Sequence, residues 1–388
     1  MTGMSGWTAA CLALALLCGC PPARAQSAPP SLVTNETAAG RASVEEQIQK
    51  AIDEHLKANP EIVGEAITVM TPAWTWSGAT GGVAGSNKRL TKHHLFRIAS
   101  VTKPFVAAAI LRLMEMGKID ITRPIETYVS GDTARRLRSG GYDAAVITVR
   151  QLLSHTSGIC NFADTPQFVE IVTREPKHHW TRSEQIQFAV DHCKPAGKPG
   201  TMFAYSDTGY IILGEVIERQ TGKALGSAVH GLIDYKAIGL TDTYWERMEP
   251  RPRLARFAGA MLDGIDMTSH DHSFDLYGGG GLISTTRDLA CFFQALIEGR
   301  IFERKSTLAV LLTISFVKRP EGLPLFANGV ALYPLGRFIC IGHTGFWGQL
   351  ALYCPENGVA IAWSTNNSRH ASVNDSVIQK VGAALDMK

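Results

Sequence analysis

Apolar positions in "SVEEQIQKAIDEHLKANPE" fall at Val44, Ile48, Ile52 and Leu56, the repeat of one helix face, behind a Ser43-to-Glu46 capping-box pattern, and predict a first helix. "EAITVMTPAWTWSG" and "GVAGSNK" carry short alternations that predict strands around a turn. The next run, "RIASVTKPFVAAAILRLMEMG" at 97 to 117, is apolar through its body and predicts a helix opening near Ser100. Between about 145 and 255 the pattern is mainly helical, in "TVRQLLSH", "RSEQIQFAVDHC", "DTGYIILGEVIERQTG" and "LGSAVHGLIDYKAI", with Gly- and Pro-rich joints. "TTRDLACFFQALIEG" predicts another helix, 328 to 343 and 348 to 365 alternate like strands, and "SVNDSVIQKVGAALDM" closes the chain as a helix. The expected fold class is α/β in the α+β sense: an antiparallel sheet flanked by N- and C-terminal helices, with a helical domain inserted.

The first 42 residues read differently. "WTAACLALALLCGC" is an apolar run short for a bilayer span, and Pro21, Pro22 and Ala23-Arg24-Ala25 follow it, so 1–25 is expected to be an export leader cut after Ala25 and 26–42 a linker. The n-region lacks Lys and Arg, and Leu17-Cys18-Gly19-Cys20 loosely resembles a lipoprotein box; the soluble exported form is preferred to lipid anchoring through Cys20. The body is then 43–388, as 43–145 and 256–388 around a helical insert, 146–255. A formal charge of +3 on 388 residues, with no basic stripe, excludes nucleic acid as a partner, and no later stretch spans a membrane. Outside the leader stand Cys160, Cys193, Cys291, Cys340 and Cys354; Cys160 with Cys193 and Cys340 with Cys354 can form disulfides in an oxidising compartment, and five separate buried thiols remain the alternative. Their spacing makes no zinc site, His270-Asp271-His272 is read as a polar loop, and neither metal nor cofactor is expected.

Candidate chemistry starts at Ser100 and Lys103. Three apart at a helix start they share a face, so the lysine amine can reach the serine hydroxyl, and the helix N-terminus favours the negative charge a nucleophile develops. Ser-x-x-Lys alone decides little, because Ser315-Phe316-Val317-Lys318 repeats it, although Arg319 and Pro320 follow and no helix opens there. Two further stretches count: Tyr205-Ser206-Asp207 ahead of an apolar helix, and His343-Thr344-Gly345 inside a strand-turn pattern. No Gly-x-Ser-x-Gly elbow occurs, and "SHTSG" at 154 to 158 is read as a structural helix end with a tight turn.

With these three motifs in this order, and with "ITVRQLLSHTSGI" and "GGGGLISTTRDLACFFQAL" between them, the chain resembles the serine β-lactamase and penicillin-binding superfamily over roughly 45 to 385, in the branch of class C β-lactamases and type-B D-alanyl-D-alanine carboxypeptidases. The resemblance implies the β-lactamase/transpeptidase fold and catalysis by Ser100 as acylated nucleophile, Lys103 as its deprotonating partner and Tyr205 as second proton carrier. It implies an oxyanion hole from the backbone N–H groups of Ser100 and Phe346, and substrate contacts at Asp207, His343, Thr344 and Gly345. Asp207 stands where the family commonly has Asn, and His343 where lactamases carry Lys; the peptidase and esterase branches more often have His, which turns the expected substrate away from β-lactams.

The expected activity is therefore hydrolysis of D-amino-acid peptides, amides or esters through an acyl-serine. A β-lactamase-like carboxylesterase or weak β-lactamase is the nearest alternative. A silent protein binding cell-wall fragments or β-lactams is the alternative of another class, with Asp207 as its main argument. The expected partners are small-molecule or peptide substrates, among them peptidoglycan fragments or β-lactams. A protonated His343 is expected to hold a substrate's terminal carboxylate.

Overall fold

The computed structural model describes residues 38–251, 256–368 and 372–387. The expected leader and residues 26–37 of the expected linker lie outside them. The first helix, α1 (Ala38–Ala58), starts inside the span read as linker. Ala38, Ala39 and Ala42 are strong helix formers and Arg41 pairs with Glu45 one turn on, so helical propensity overrides the linker-like composition before the expected capping box at Ser43.

A hairpin follows, β1 (Gly64–Met70) and β2 (Thr75–Gly81). Residues 82–88 are not the strand their alternation predicts: Gly82 makes one bridge to Arg89, and Gly85 turns the chain at φ +68°. β3 (His94–Arg97) leads through a 3-10 turn, Ala99–Thr102, into α2 (Lys103–Glu115). The helical layer comprises α3 (Gly131–Ser139), α4 (Val149–Leu153), α5 (Pro166–Arg174), α6 (Arg182–His192), α7 (Asp207–Thr221) and α8 (Leu225–Ile233). It begins before the expected boundary at 146, because α3 already docks on α6, where Arg136 donates to Gln187 at 2.7 Å. Short strands β4 (Tyr244–Trp245), β5 (Arg256–Phe257), β6 (Met261–Leu262), β7 (Ile265–Asp266) and β8 (Leu282–Ser284) come next, then α9 (Thr286–Ile297) and α10 (Lys305–Leu311). β9 (Leu325–Phe326), β10 (Ala331–Leu335), β11 (Phe338–Gly345), β12 (Gln349–Cys354) and β13 (Val359–Thr365) precede the last helix, α11 (Ser376–Ala384).

The main sheet runs β2-β1-β13-β12-β11-β10-β9 and is antiparallel, with β1 against β13 closing the two ends of the chain on each other. Its central strands β1, β13 and β12 are buried on both faces, with side chains alternating at a period of two. Leu350, Leu352, Ile361 and Trp363 face Val44, Ile48, Ile52, Val377 and Ile378 of α1 and α11, while Ala351, Ala360 and Ala362 face the helical layer, where small side chains let α9 approach closely. A second sheet, β4-β8-β3-β5, sets Phe96 and Arg97 opposite Ser284 and Ile283, so the segment entering Ser100 runs beside the one leaving Gly279. Sulfur bonds join Cys160 to Cys193 and Cys340 to Cys354, and Cys291 is a buried thiol. Among the described residues no helix is long and apolar enough to cross a membrane, and no cluster of His, Cys, Asp and Glu is arranged for a metal.

Candidate active site

Ser100 is set by its backbone. Ile98 N donates to Leu282 O at 3.1 Å, tying the chain to β8; then Ala99 takes a left-handed φ of +43°, a strained value for a residue with a Cβ, and turns Ser100 into the 3-10 segment. The α-helix proper starts at Lys103 with Pro104 in its first turn, so Ser100 stands one turn ahead of α2 and does not cap it. Residues three apart eclipse in a 3-10 turn, which lays the lysine over the serine.

Lys103 is wholly buried, and its Nζ has three acceptors: Ser100 Oγ at 2.8 Å, Gly279 O at 2.7 Å, and Asp207 Oδ1 in an ion pair. An ammonium has three N–H donors, one for each. A neutral amine would keep two of these bonds as donor and turn its lone pair to the third partner. Tyr205, just ahead of α7, brings its ring centroid to 5.0 Å from Nζ and its phenol into hydrogen bonding with Ser100. Burial, reinforced by the Asp207 carboxylate, pushes that phenol well above its ordinary value, against the pull of the Ser100 bond. The turn is pinned by Ser206, whose Oγ accepts from Gly209 N at 3.1 Å, and by Asn161 Oδ1, which accepts from Asp207 N at 3.0 Å.

The third motif lies on β11 past the last residue paired with β10, Gly342 opposite Ala331. Gly345 packs so tightly that a Cβ there would come within 2.5 Å of Ile98 O, which holds the strand end against the Ser100 turn. The Thr344 side chain bonds the buried Tyr333 hydroxyl, which burial pushes up to about 12. Phe346 follows with its ring exposed. His343 corrects the expectation of a cation: it is 2% exposed, and its Nδ1 donates to Thr344 O at 2.6 Å. Burial first, then the charge of Lys103, lowers the imidazole to about 3, so it is neutral at physiological pH, and its buried Nε2 has no partner among the described residues. In the site as it stands, His343 therefore offers no positive charge.

Three groups here were not anticipated. His155, from the "SHTSG" stretch read as purely structural, stacks on the Tyr205 ring at 4.3 Å. Asp164 and Asp275 approach from the helical side: burial raises both, and Asp207 raises both further, Asp275 to about 7. The signal for Asp275 lay in the glycine run, because a Cβ on Gly280 would meet its Oδ1 at 2.1 Å.

The β-lactamase family model matches residues 49–382, and the chain belongs to that family. A protein of Salmonella typhi named among the D-alanyl-D-alanine carboxypeptidases is 25% identical over 368 residues, 85% of this chain and 83% of its own. The fold of a D-stereospecific amidohydrolase from a Streptomyces species superposes with a TM-score of 0.73 at 27% identity, covering 87% of this chain and 97% of that one. D-amino acid amidase from Ochrobactrum anthropi SV3, complexed with L-phenylalanine amide, gives 0.71 at 26% identity, covering 89% and 96%. The protein is a serine hydrolase with the β-lactamase/transpeptidase fold.

Proposed function

We propose that this hydrolase cleaves amides or esters of D-amino acids through an acyl-Ser100 intermediate. The observation that carries the reading is the Lys103 amine at 2.8 Å from Ser100 Oγ, anchored on its other bonds by Asp207 and Gly279 O. With the amine neutral, its lone pair faces the serine hydroxyl. Ser100 Oγ then attacks the scissile carbonyl as its proton passes to Nζ, and the Tyr205 phenol relays a proton to the departing nitrogen or oxygen as that bond breaks. Water attacks the acyl-serine by the same route in reverse. Tyr205 serves as a protonated phenol, in keeping with the upward push of its burial. The tetrahedral oxyanion is assigned to the backbone N–H groups of Ser100 and Phe346, neither of which is taken by a backbone carbonyl in the turns and loops of the described residues.

Amides and esters are put ahead of peptides ending in a free carboxylate because His343 is buried and bonded through Nδ1 to Thr344 O, and because two structural neighbours are named an amidohydrolase and an amidase. The names of the structural neighbours support the D-amino-acid part. An exported location is supported by the expected leader and by the two sulfur bonds, which persist in oxidising compartments. Intact mass after a fluorophosphonate, followed by rates on D- and L-amino-acid amides, nitrophenyl esters, a D-Ala-D-Ala peptide and a chromogenic cephalosporin, tests the reading. One adduct per chain on Ser100 and a preference for D-amides or esters support it. A missing adduct or a dominant carboxypeptidase rate sinks it.

A further inference from the structure

His155 brackets Tyr205 on three sides. Its carbonyl accepts from Ala204 N at 2.8 Å and its ring Nδ1 accepts from Ser206 N at 3.1 Å, so the backbone on either side of the tyrosine is hung from one residue. Between those bonds the imidazole lies on the Tyr205 ring, centroids 4.3 Å apart and planes 23° from parallel. His155 is 1% exposed and holds a left-handed φ of +55°, so the chain spends strain to place it. Because Nδ1 accepts, the ring proton sits on Nε2, a buried donor without a partner among the described residues. A hydrogen-bond donor is left unsatisfied so that the other nitrogen and the ring face can serve Tyr205.

We infer that His155 is a positioning residue for the proton relay, fixing the plane and height of the Tyr205 phenol over Ser100. This rests on the role proposed for Tyr205. Burial, then the charge of Lys103, holds the imidazole well below its ordinary value, so it neither competes for the phenol's proton nor adds a second cation beside Lys103. Tyr210 at 5.0 Å and Phe326 at 5.7 Å from the His155 ring confine it to this orientation.

The test is a double-mutant cycle read by acylation with a neutral nitrophenyl ester. His155→Asn tolerates a left-handed φ and offers an acceptor to Ser206 N but no ring face; His155→Phe keeps the face and loses the acceptor; His155→Ala loses both. The expected losses in acylation kcat are about tenfold for each partial variant and about a hundredfold for His155→Ala, with KM within about threefold, the size a misplacement near 1 Å produces. In the Tyr205→Phe background the same substitutions should change the remaining rate by less than about twofold, since a residue acting through Tyr205 has nothing left to position. Equal fold-losses in both backgrounds, or a His155→Asn enzyme that folds and acylates like wild type, overturn the inference. Tyr205→Phe acylating at the wild-type rate sinks the relay reading itself, a result distinguishable from the other two.

Discussion

Two stretches carry a serine and a lysine three residues apart, and they differ in the backbone beneath them. Ser100 and Lys103 ride a 3-10 turn into α2, where the side chains overlie each other and the lysine is wholly buried against Asp207 and Gly279 O. Ser315 and Lys318 lie in an irregular segment after α10, where Val317 N donates to Ser315 O at 3.0 Å in a tight turn. There Lys318 bridges Met202 through its backbone, with its side chain exposed, and Phe316 between them is 85% exposed. No helical turn follows Ser315 to lay Lys318 over it, and the exposed Lys318 side chain stays in water. The pattern becomes chemistry only where the turn brings the two groups together and burial removes water from the pair.

The sharpest way to break that contrast is to delete each serine. Ser100→Ala should abolish the covalent adduct and lower turnover by at least about a thousandfold, since no acyl intermediate can form. Ser315→Ala should leave both within about twofold, as surface substitutions do. Intact mass after fluorophosphonate decides it, and an adduct surviving in Ser100→Ala or lost in Ser315→Ala reverses the assignment. The lysines come next. Lys103→Ala should depress acylation by about a hundredfold to ten-thousandfold as the base is lost. It should also lower stability by about 1–3 kcal/mol, because Asp207 and Gly279 O lose their donor inside the fold. Lys318→Ala should move neither rate nor urea midpoint; equal effects at the two lysines would show that burial is not the distinction.

The residues that carry their own local geometry were legible in the sequence. Helix periodicity gave α2, α6, α7 and α9 close to their bounds and the existence of α8 and α11, whose expected segments overrun them, and the three short motifs sit at element ends that the pattern marks. What escaped depends on distant parts of the chain. His155 meets Tyr205 only because α4 packs beside α7, and Asp275 enters the site through the space left open at Gly280. The state of His343 escaped too, since a residue's letter gives an ordinary imidazole whereas its surroundings give a buried one beside Lys103. Residues 82–88 failed as a strand because apolar alternation does not outweigh a glycine at positive φ and a Gly-Ser-Asn turn composition.

Burial, the feature that separates the two lysines, should also be visible in pH. His343 holds near 3 in the fold and near 6.5 when unfolded, so the unfolded chain takes up a proton first as pH falls. Its contribution is complete above about pH 6.5 and is lost on acidification, at about 1.4 kcal/mol per pH unit. Asp275, raised to about 7, works in the opposite sense, and His155 and His272, also lowered by burial, work in the same sense, so the whole-protein slope mixes them all. The difference between wild type and His343→Gln isolates the histidine: unfolding at pH 7.5 and 5.5 should show wild type losing about 1.4 kcal/mol more than the variant. For the same reason KM for a carboxylate-bearing peptide should show no His343 titration between pH 6 and 8. A KM that rises through that range in wild type and not in His343→Gln would restore the cationic anchor.

The smallest expected effect concerns the carboxylate that ties Lys103 to α7. Asp207→Asn keeps a side-chain oxygen for the Lys103 amine and removes the charge. Two consequences oppose each other. The amine exchanges a charged partner for a neutral one and is held less tightly away from the serine hydroxyl, and the first turn of α7 loses an acidic residue worth about 0.3–1 kcal/mol to the helix. The Tyr205 phenol, which Asp207 pushes upward after burial, moves back toward its ordinary value and gives up its proton more readily. Turnover of D-amino-acid amides should therefore be equal to wild type or up to about threefold higher, with a slight drop in unfolding midpoint. A hundredfold loss in steady-state turnover would mean that the carboxylate itself carries a proton, and the difference between the buried and exposed serine–lysine pairs would then lie in Asp207 as much as in the turn.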